Sequence, residues 1–112
     1  MIKRAAVYWL PDDVNEDDFW KYHTETHAPD VINIAGDALK KYTISRIVKT
    51  VHGDKPPFFA IIEMWWESEE AMTKAMELVK NTKLPSGKTI WDDFWDQVAG
   101  GYAMVTDEFI AK

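Results

Sequence analysis

Apolar residues fill most of the first ten positions, with Ile2 followed by Ala5-Ala6-Val7-Tyr8-Trp9-Leu10, and this run predicts a strand over 2–10. Pro11-Asp12-Asp13 ends it. Asn15 then stands as an N-cap, and Glu16, Asp17 and Asp18 fill a first turn whose free N–H groups favour negative charge. Val14 and Phe19 occupy the two positions of a hydrophobic staple. A helix is therefore expected from 15–16. Pro29 lacks a backbone donor and disfavours a helical Ala28, so a kink is expected there. Helix should resume to about Ala35, and Gly36 should stop it.

Residues 39–52 read as a long strand carrying Tyr42, Ile44, Ile47, Val48 and Val51, and Gly53-Asp54-Lys55-Pro56-Pro57 as the turn after it. Residues 58–66 are the clearest strand and are apolar on both faces, which predicts that both faces are covered. Ser68 caps a second helix with an Ala71, Met72, Ala75, Met76, Val79 stripe, broken at Leu84-Pro85-Ser86-Gly87. Thr89 caps a third, with Ile90, Trp91, Phe94, Trp95 and Val98 on one side and Asp92, Asp93 and Asp96 on the other. Gly100-Gly101 is expected to end that helix, and residues 102–110 to form a last strand.

The order β-α-β-β-α-(α)-β is the α+β, ferredoxin-like pattern, with a four-stranded antiparallel sheet and helices on one face. Residues 1–112 suit a single domain, and neither a repeat nor a linker interrupts them. Helices on one face leave the other bare. The doubly apolar third strand argues that a second copy covers it, as in a homodimer paired sheet to sheet.

Composition narrows the function classes. The chain has 46 % hydrophobic and 29 % charged residues, but six Trp, five Phe and four Tyr in 112 positions exceed what a small core needs. The surplus points to a subunit interface or an aromatic pocket. A net charge of −6 and no basic run longer than Lys40-Lys41 argue against nucleic acid and anionic membranes as partners. Without cysteine there is no disulfide, thiol nucleophile or thiolate metal site. Asp12 and Asp13 follow the basic start too soon for a signal peptide, and no apolar run approaches a membrane span, so a cytoplasmic location is expected.

On the first helix Trp20, His23, His27, Val31 and Ile34 fall within roughly 80°. One or both imidazoles then approach the interior, where a neutral ring can move a proton. The alternative is a core histidine held by a backbone carbonyl or a Tyr hydroxyl. A His-x-x-x-His pair also suits two metal ligands. However, Thr24 stands where a zinc protease needs Glu, and no third ligand is evident, so no metal is expected. Glu63 lies within a strongly apolar strand, either to orient a histidine or act as a base, or to form an ion pair with Arg46 or Lys49 or sit at an interface. Arg46 suits a substrate carboxylate or enolate, or a cross-strand or dimer salt bridge. Trp91 and Trp95 lid a pocket or belong to the core, and His52 reads as an exposed loop residue.

Three elements together resemble the EthD family of the dimeric α+β barrel superfamily. They are Phe19-Trp20-x-Tyr22-His23-x-x-x-His27-Ala28-Pro29, then Tyr42 shortly after a glycine, then Ala60-Ile61-Ile62-Glu63-Met64-Trp65-Trp66 with Ser68 and a helix holding Ala71-Met72. The likeness covers roughly residues 3–80. The turn Ala35-Gly36-Asp37-Ala38-Leu39 is longer than the family's, and residues 84–99 are not anticipated by its motifs.

The resemblance implies a homodimer and a cleft between helices and sheet in each subunit. His27 matches the signature histidine and Glu63 the strand glutamate. It also implies small, hydrophobic, often aromatic substrates and no cofactor. The expected activity is acid/base chemistry on a small hydrophobic aromatic, lactone or polyketide-like carbonyl compound, by an isomerase, lyase or cyclase. His27 would be the acid/base and His23 or Glu63 its support, with Tyr8, Trp9, Trp20, Tyr42, Arg46, Trp65 and Trp95 in contact with substrate. The alternatives are a non-catalytic binding protein serving an oxidative degradation pathway and a cofactor-free monooxygenase.

Overall fold

A computed structural model describes residues 2–112. Strand β1 (Ile2–Trp9) leads into α1 (Glu16–Tyr22), a π-helical turn (His23–His27), α2 (Ala28–Ala35) and a 3-10 turn (Gly36–Ala38). Strands β2 (Leu39–Arg46) and β3 (Ala60–Trp66) follow, then α3 (Glu69–Asn81), α4 (Ile90–Trp95) and β4 (Gly100–Thr106). The strands form one antiparallel sheet in the order β2-β3-β1-β4. This is the ferredoxin-like α+β fold.

The local signals explain the elements. The side chains of Asn15, Ser68 and Thr89 each accept the backbone N–H three residues on, so all three expected N-caps form. Gly36 closes α2 at φ 63°, a left-handed value that favours glycine. The core gathers Ala6, Tyr8, Ile62, Met64 and Trp66 from the sheet under Phe19, Val31, Val79 and Phe94 from the helices.

Four expectations need correction. The helix does not simply kink at Pro29. It widens one turn earlier, and Ala28 N–H donates to the His23 carbonyl five residues back. A proline ring crowds the carbonyl four residues before it, and the wider turn lets the helix carry Pro29 without breaking. Strand β2 ends at Arg46 rather than 52. Only Ile47 N–H to Phe59 extends the ladder, because Pro56 and Pro57 then offer no N–H to pair. Helix α4 stops at Trp95, short of Val98. Gly100-Gly101 opens β4 instead of merely ending the helix.

The last correction has a steric cause. A side chain on Gly100 would collide with the Trp9 ring, and a Cβ on Gly101 would meet Val7 O at 2.7 Å and Trp95 Cζ3 at 2.6 Å. One of those obstacles is backbone and cannot swing aside. Gly101→Ala is therefore expected to destabilise the fold by about 1–3 kcal/mol in urea unfolding and to push Trp95 from its place. An unchanged midpoint would show that the approach is not tight.

The sheet's two faces differ. Paired rows place Tyr42, Met64 and Arg4 side by side on the helix-covered face, and Thr43, Glu63 and Ala5 on the other. The open face also carries Trp9, Trp65, Tyr102 and Met104, the last two 62 % and 42 % exposed. Among the described residues no helix is long and apolar enough to cross a membrane.

Candidate functional site

The π-helical turn sets the site, because it ends in one histidine and begins with the other. His23 is fully buried and His27 is 8 % exposed, with their rings 5.4 Å apart and edge to face. His23 Nδ1 is hydrogen-bonded to the Tyr8 hydroxyl at 2.8 Å, and its Nε2 has no partner. His23 is thus a core histidine held by a tyrosine, one of the two readings open from sequence.

His27 stacks on Phe94 at 4.3 Å and faces a small cleft. The cleft's other walls include Tyr42 from β2, Arg4 from β1, Met76 from α3, and Trp91 and Trp95 from α4. Its free volume is about 20 Å3, room for about one water. Among the described residues no group of three or more His, Asp or Glu side chains stands where it would hold a metal ion.

Burial sets the electrostatics. It pushes His23 down to about 3, helped by the neighbouring His27, because a charged imidazole would lose its hydration. It pushes His27 down to about 4, opposed by the charge of Asp93. Both rings are therefore neutral at pH 7. Asp93 itself accepts a hydrogen bond from the Tyr22 hydroxyl at 2.5 Å, which ties α4 to α1 and holds the carboxylate near His27. Burial also raises Tyr42, and the Arg4 guanidinium opposes the rise.

Of the residues singled out from sequence, the structure brings His27, His23, Tyr8, Tyr42 and Trp95 together. It does not bring Glu63. That carboxylate lies on the open face, ion-paired with Lys3, and the sheet separates it from His27 within a chain. Alternation along an apolar strand cannot say which parity the helices cover, and Glu63 fell on the other one. Trp65 shares that face, lying between Lys3 and Lys41 with its Nε1–H donated to Glu108. Trp9 packs there on Phe58 and Tyr102.

Trp20 meets Phe59 edge to face, away from the cleft. Arg46 is on the helix-covered side but at the edge strand, where it pairs with Asp17 and, more loosely, Glu16. It lines a separate open hollow of about 530 Å3. Its ionic partners stand in the first turn of α1, neither across a strand nor on a second copy.

Two residues at the site escaped the sequence reading. By period Asp93 falls on the polar side of its helix. Arg4 reads as part of a short basic start. Its parity with Ala6 and Tyr8, two and four residues on, was the signal that could have found it.

The domain model described as the EthD domain matches residues 11–84. No curated protein sequence matches significantly. Solved structures do. An EthD family protein from Bacillus halodurans is 24 % identical, aligned over 97 % of this chain and 99 % of its own, with a TM-score of 0.71. A dimeric ferredoxin-like protein of unknown function from Thermobifida fusca is 14 % identical over 94 % and 88 % of the two chains, with a TM-score of 0.66. SnoaB, a cofactor-independent oxygenase from Streptomyces nogalater, is 6 % identical over 99 % and 97 %, with a TM-score of 0.61. At these identities the likenesses establish the fold. The domain match covers well over half of the described chain, and the chain belongs to the EthD family.

Proposed function

We propose that this protein is a cofactor-independent enzyme that performs acid/base chemistry on a small hydrophobic carbonyl compound, as an isomerase, lyase or cyclase. The observation that carries the reading is a neutral imidazole, His27, in an aromatic-walled cleft with Asp93 close enough to favour its charged form. A general base must start neutral and be stabilised once it holds the proton. His27 starts neutral because it is buried. Asp93 lowers the energy of the imidazolium, and Tyr22 fixes Asp93 in place. Phe94 and Tyr42 exclude water from the ring and supply flat contact for an apolar substrate. Such an acid/base group contributes about 10²–10⁴-fold, and orientation must supply the rest.

The open face supports a homodimer as the working form. It exposes Tyr102 and Met104 beside the Lys3–Glu63 pair, and the Thermobifida fusca relative of the same fold is dimeric. In that arrangement Glu63 serves the interface. A cytoplasmic location fits this reading.

A second reading is favoured by the oxygenase neighbour, a cofactor-independent enzyme of the same fold. Here His27 would deprotonate a phenol or quinol so that it reacts directly with oxygen. Oxygen consumption with such substrates separates the two.

The test is a panel of aromatic ketones, lactones and poly-β-carbonyl compounds assayed with wild-type protein, His27→Gln and Asp93→Asn. Turnover should fall at least about 100-fold in His27→Gln and by a smaller factor in Asp93→Asn, with the fold unchanged. Equal turnover in His27→Gln would remove the assigned role. Binding of the panel without turnover in any variant would make the protein an accessory binder.

A further inference from the structure

Arg4 is the one charged side chain lining the cleft beside a neutral His27, and the face of Trp91 offsets part of its burial. It sits mid-strand on the helix-covered face of β1, half-buried, beside Tyr42 and 5.9 Å from the Trp91 ring centre. Among the described residues it makes no ion pair and no side-chain hydrogen bond. Every salt bridge belongs to Lys3, Arg46, Lys74 or Lys88. Burial accordingly pulls its guanidinium below its ordinary value, opposed only by Tyr42. A guanidinium taken out of water without a carboxylate costs stability. Its neighbours in the same row, Met64 and Val105, are apolar, and an aliphatic residue would fit there at lower cost.

Arg4 also joins two spaces. It lines the inner cleft with His27 and Tyr42, and an outer groove of about 300 Å3 with Met72, Thr73 and Lys80. Met76 borders both, so a flexible thioether and one guanidinium form the partition. Lys80 stands 4.7 Å from the Trp91 ring centre, a second cation at the mouth of this route. Glu77, on the same groove, does not reach Arg4.

We propose that Arg4 is the anchor for an anionic oxygen of the ligand, a carboxylate, phenolate or enolate, whose apolar body lies beside His27. A guanidinium presents paired N–H donors that match such an oxygen pair, and low surrounding polarity strengthens the contact. The ligand enters by the outer groove, past Lys80, and displaces Met76 or Trp91, since the closed cleft holds no more than a water. The proposal deepens the acid/base reading by naming the substrate's charge. It rests on that reading only for the place of the apolar body.

The test compares benzoate with its neutral isostere benzamide at pH 7.5, by titration calorimetry and by the NMR shifts of the His27 ring. Wild-type protein should prefer benzoate by at least about tenfold and show shifts at His27. Arg4→Gln should erase that preference, and Arg4→Lys should keep part of it. Lys80→Gln should slow or weaken binding slightly and leave the preference. Arg4→Met should melt at the same or a higher temperature than wild type.

Equal binding of both probes at His27 overturns the role of Arg4 and leaves the cleft reading intact. A preference that survives Arg4→Gln and vanishes in Lys80→Gln moves the anion site to the surface and also overturns it. A melting temperature that drops sharply in both Arg4→Met and Arg4→Gln makes Arg4 structural. No His27 shift with either probe overturns both readings.

Discussion

Phe94→Ala is expected to destabilise the protein by about 3–5 kcal/mol, the largest loss of any single side chain near the cleft. Phe94 is 1 % exposed and its ring is the hub of the aromatic cluster. His27 lies 4.3 Å away, His23 4.6 Å, Trp95 5.1 Å, Tyr8 5.2 Å and Phe19 5.6 Å, centre to centre. Those five residues come from β1, α1, the π-helical turn and α4, so no single backbone shift can fill the hole. Urea unfolding reads the loss. The hole would open beside His27, so benzene should bind there and recover part of the stability. A loss under about 1 kcal/mol would mean that the cluster collapses freely and that the cleft walls are not rigid.

Acid should be nearly as damaging, by a different route. In the unfolded chain each histidine titrates near its ordinary value of about 6.5. In the fold His23 is held down to about 3 and His27 to about 4. Both folded values are depressed. The unfolded state therefore binds more protons over this range, and stability falls as pH falls from about 6.5 toward the folded values. At pH 5 each ring is charged when unfolded and still neutral when folded. Together they should cost about 4 kcal/mol relative to pH 7.5, or roughly 15 °C in Tm.

A total stability of about 5–15 kcal/mol makes this a large share. Melting curves at pH 7.5 and pH 5 check it, in a window where most carboxylates stay ionised. His27→Gln should remove about half of the pH dependence, and the double variant with His23→Gln nearly all. A flat profile in wild type would mean that water reaches both rings.

The two expectations share a cause. The π-helical turn directs two titratable rings into the core, where Phe94 packs on both. Alanine at both positions would remove the acid-sensitive rings, leave cavities against Phe94 and Tyr8, and take the proton-transfer group from the cleft.

The sequence by itself determined the elements and their order. Asn15, Ser68, Thr89 and Gly36 act through contacts three or four residues away, and such contacts are written in local spacing. The face of the first helix was legible in part: His23, His27 and Val31 are buried as their period requires, while Trp20 and Ile34 are only half-buried and Trp20 lies away from the cleft.

Only the tertiary structure decided what those faces meet. Glu63 and Ile62 are adjacent in a strand apolar on both sides, and nothing local says which one the helices cover. Pairing with Lys3 placed Glu63 on the open side, and Arg4 came to the cleft through register with Met64 and Tyr42. The π-helical turn was hidden because Pro29 announces a disturbance without stating its form. Packing of His23 against Tyr8 and of His27 against Phe94 accompanies the form it took. Local propensity acts over one turn of chain. A site built from β1, β2, the first helix and α4 depends on contacts between residues up to about ninety positions apart, which only the folded chain brings together.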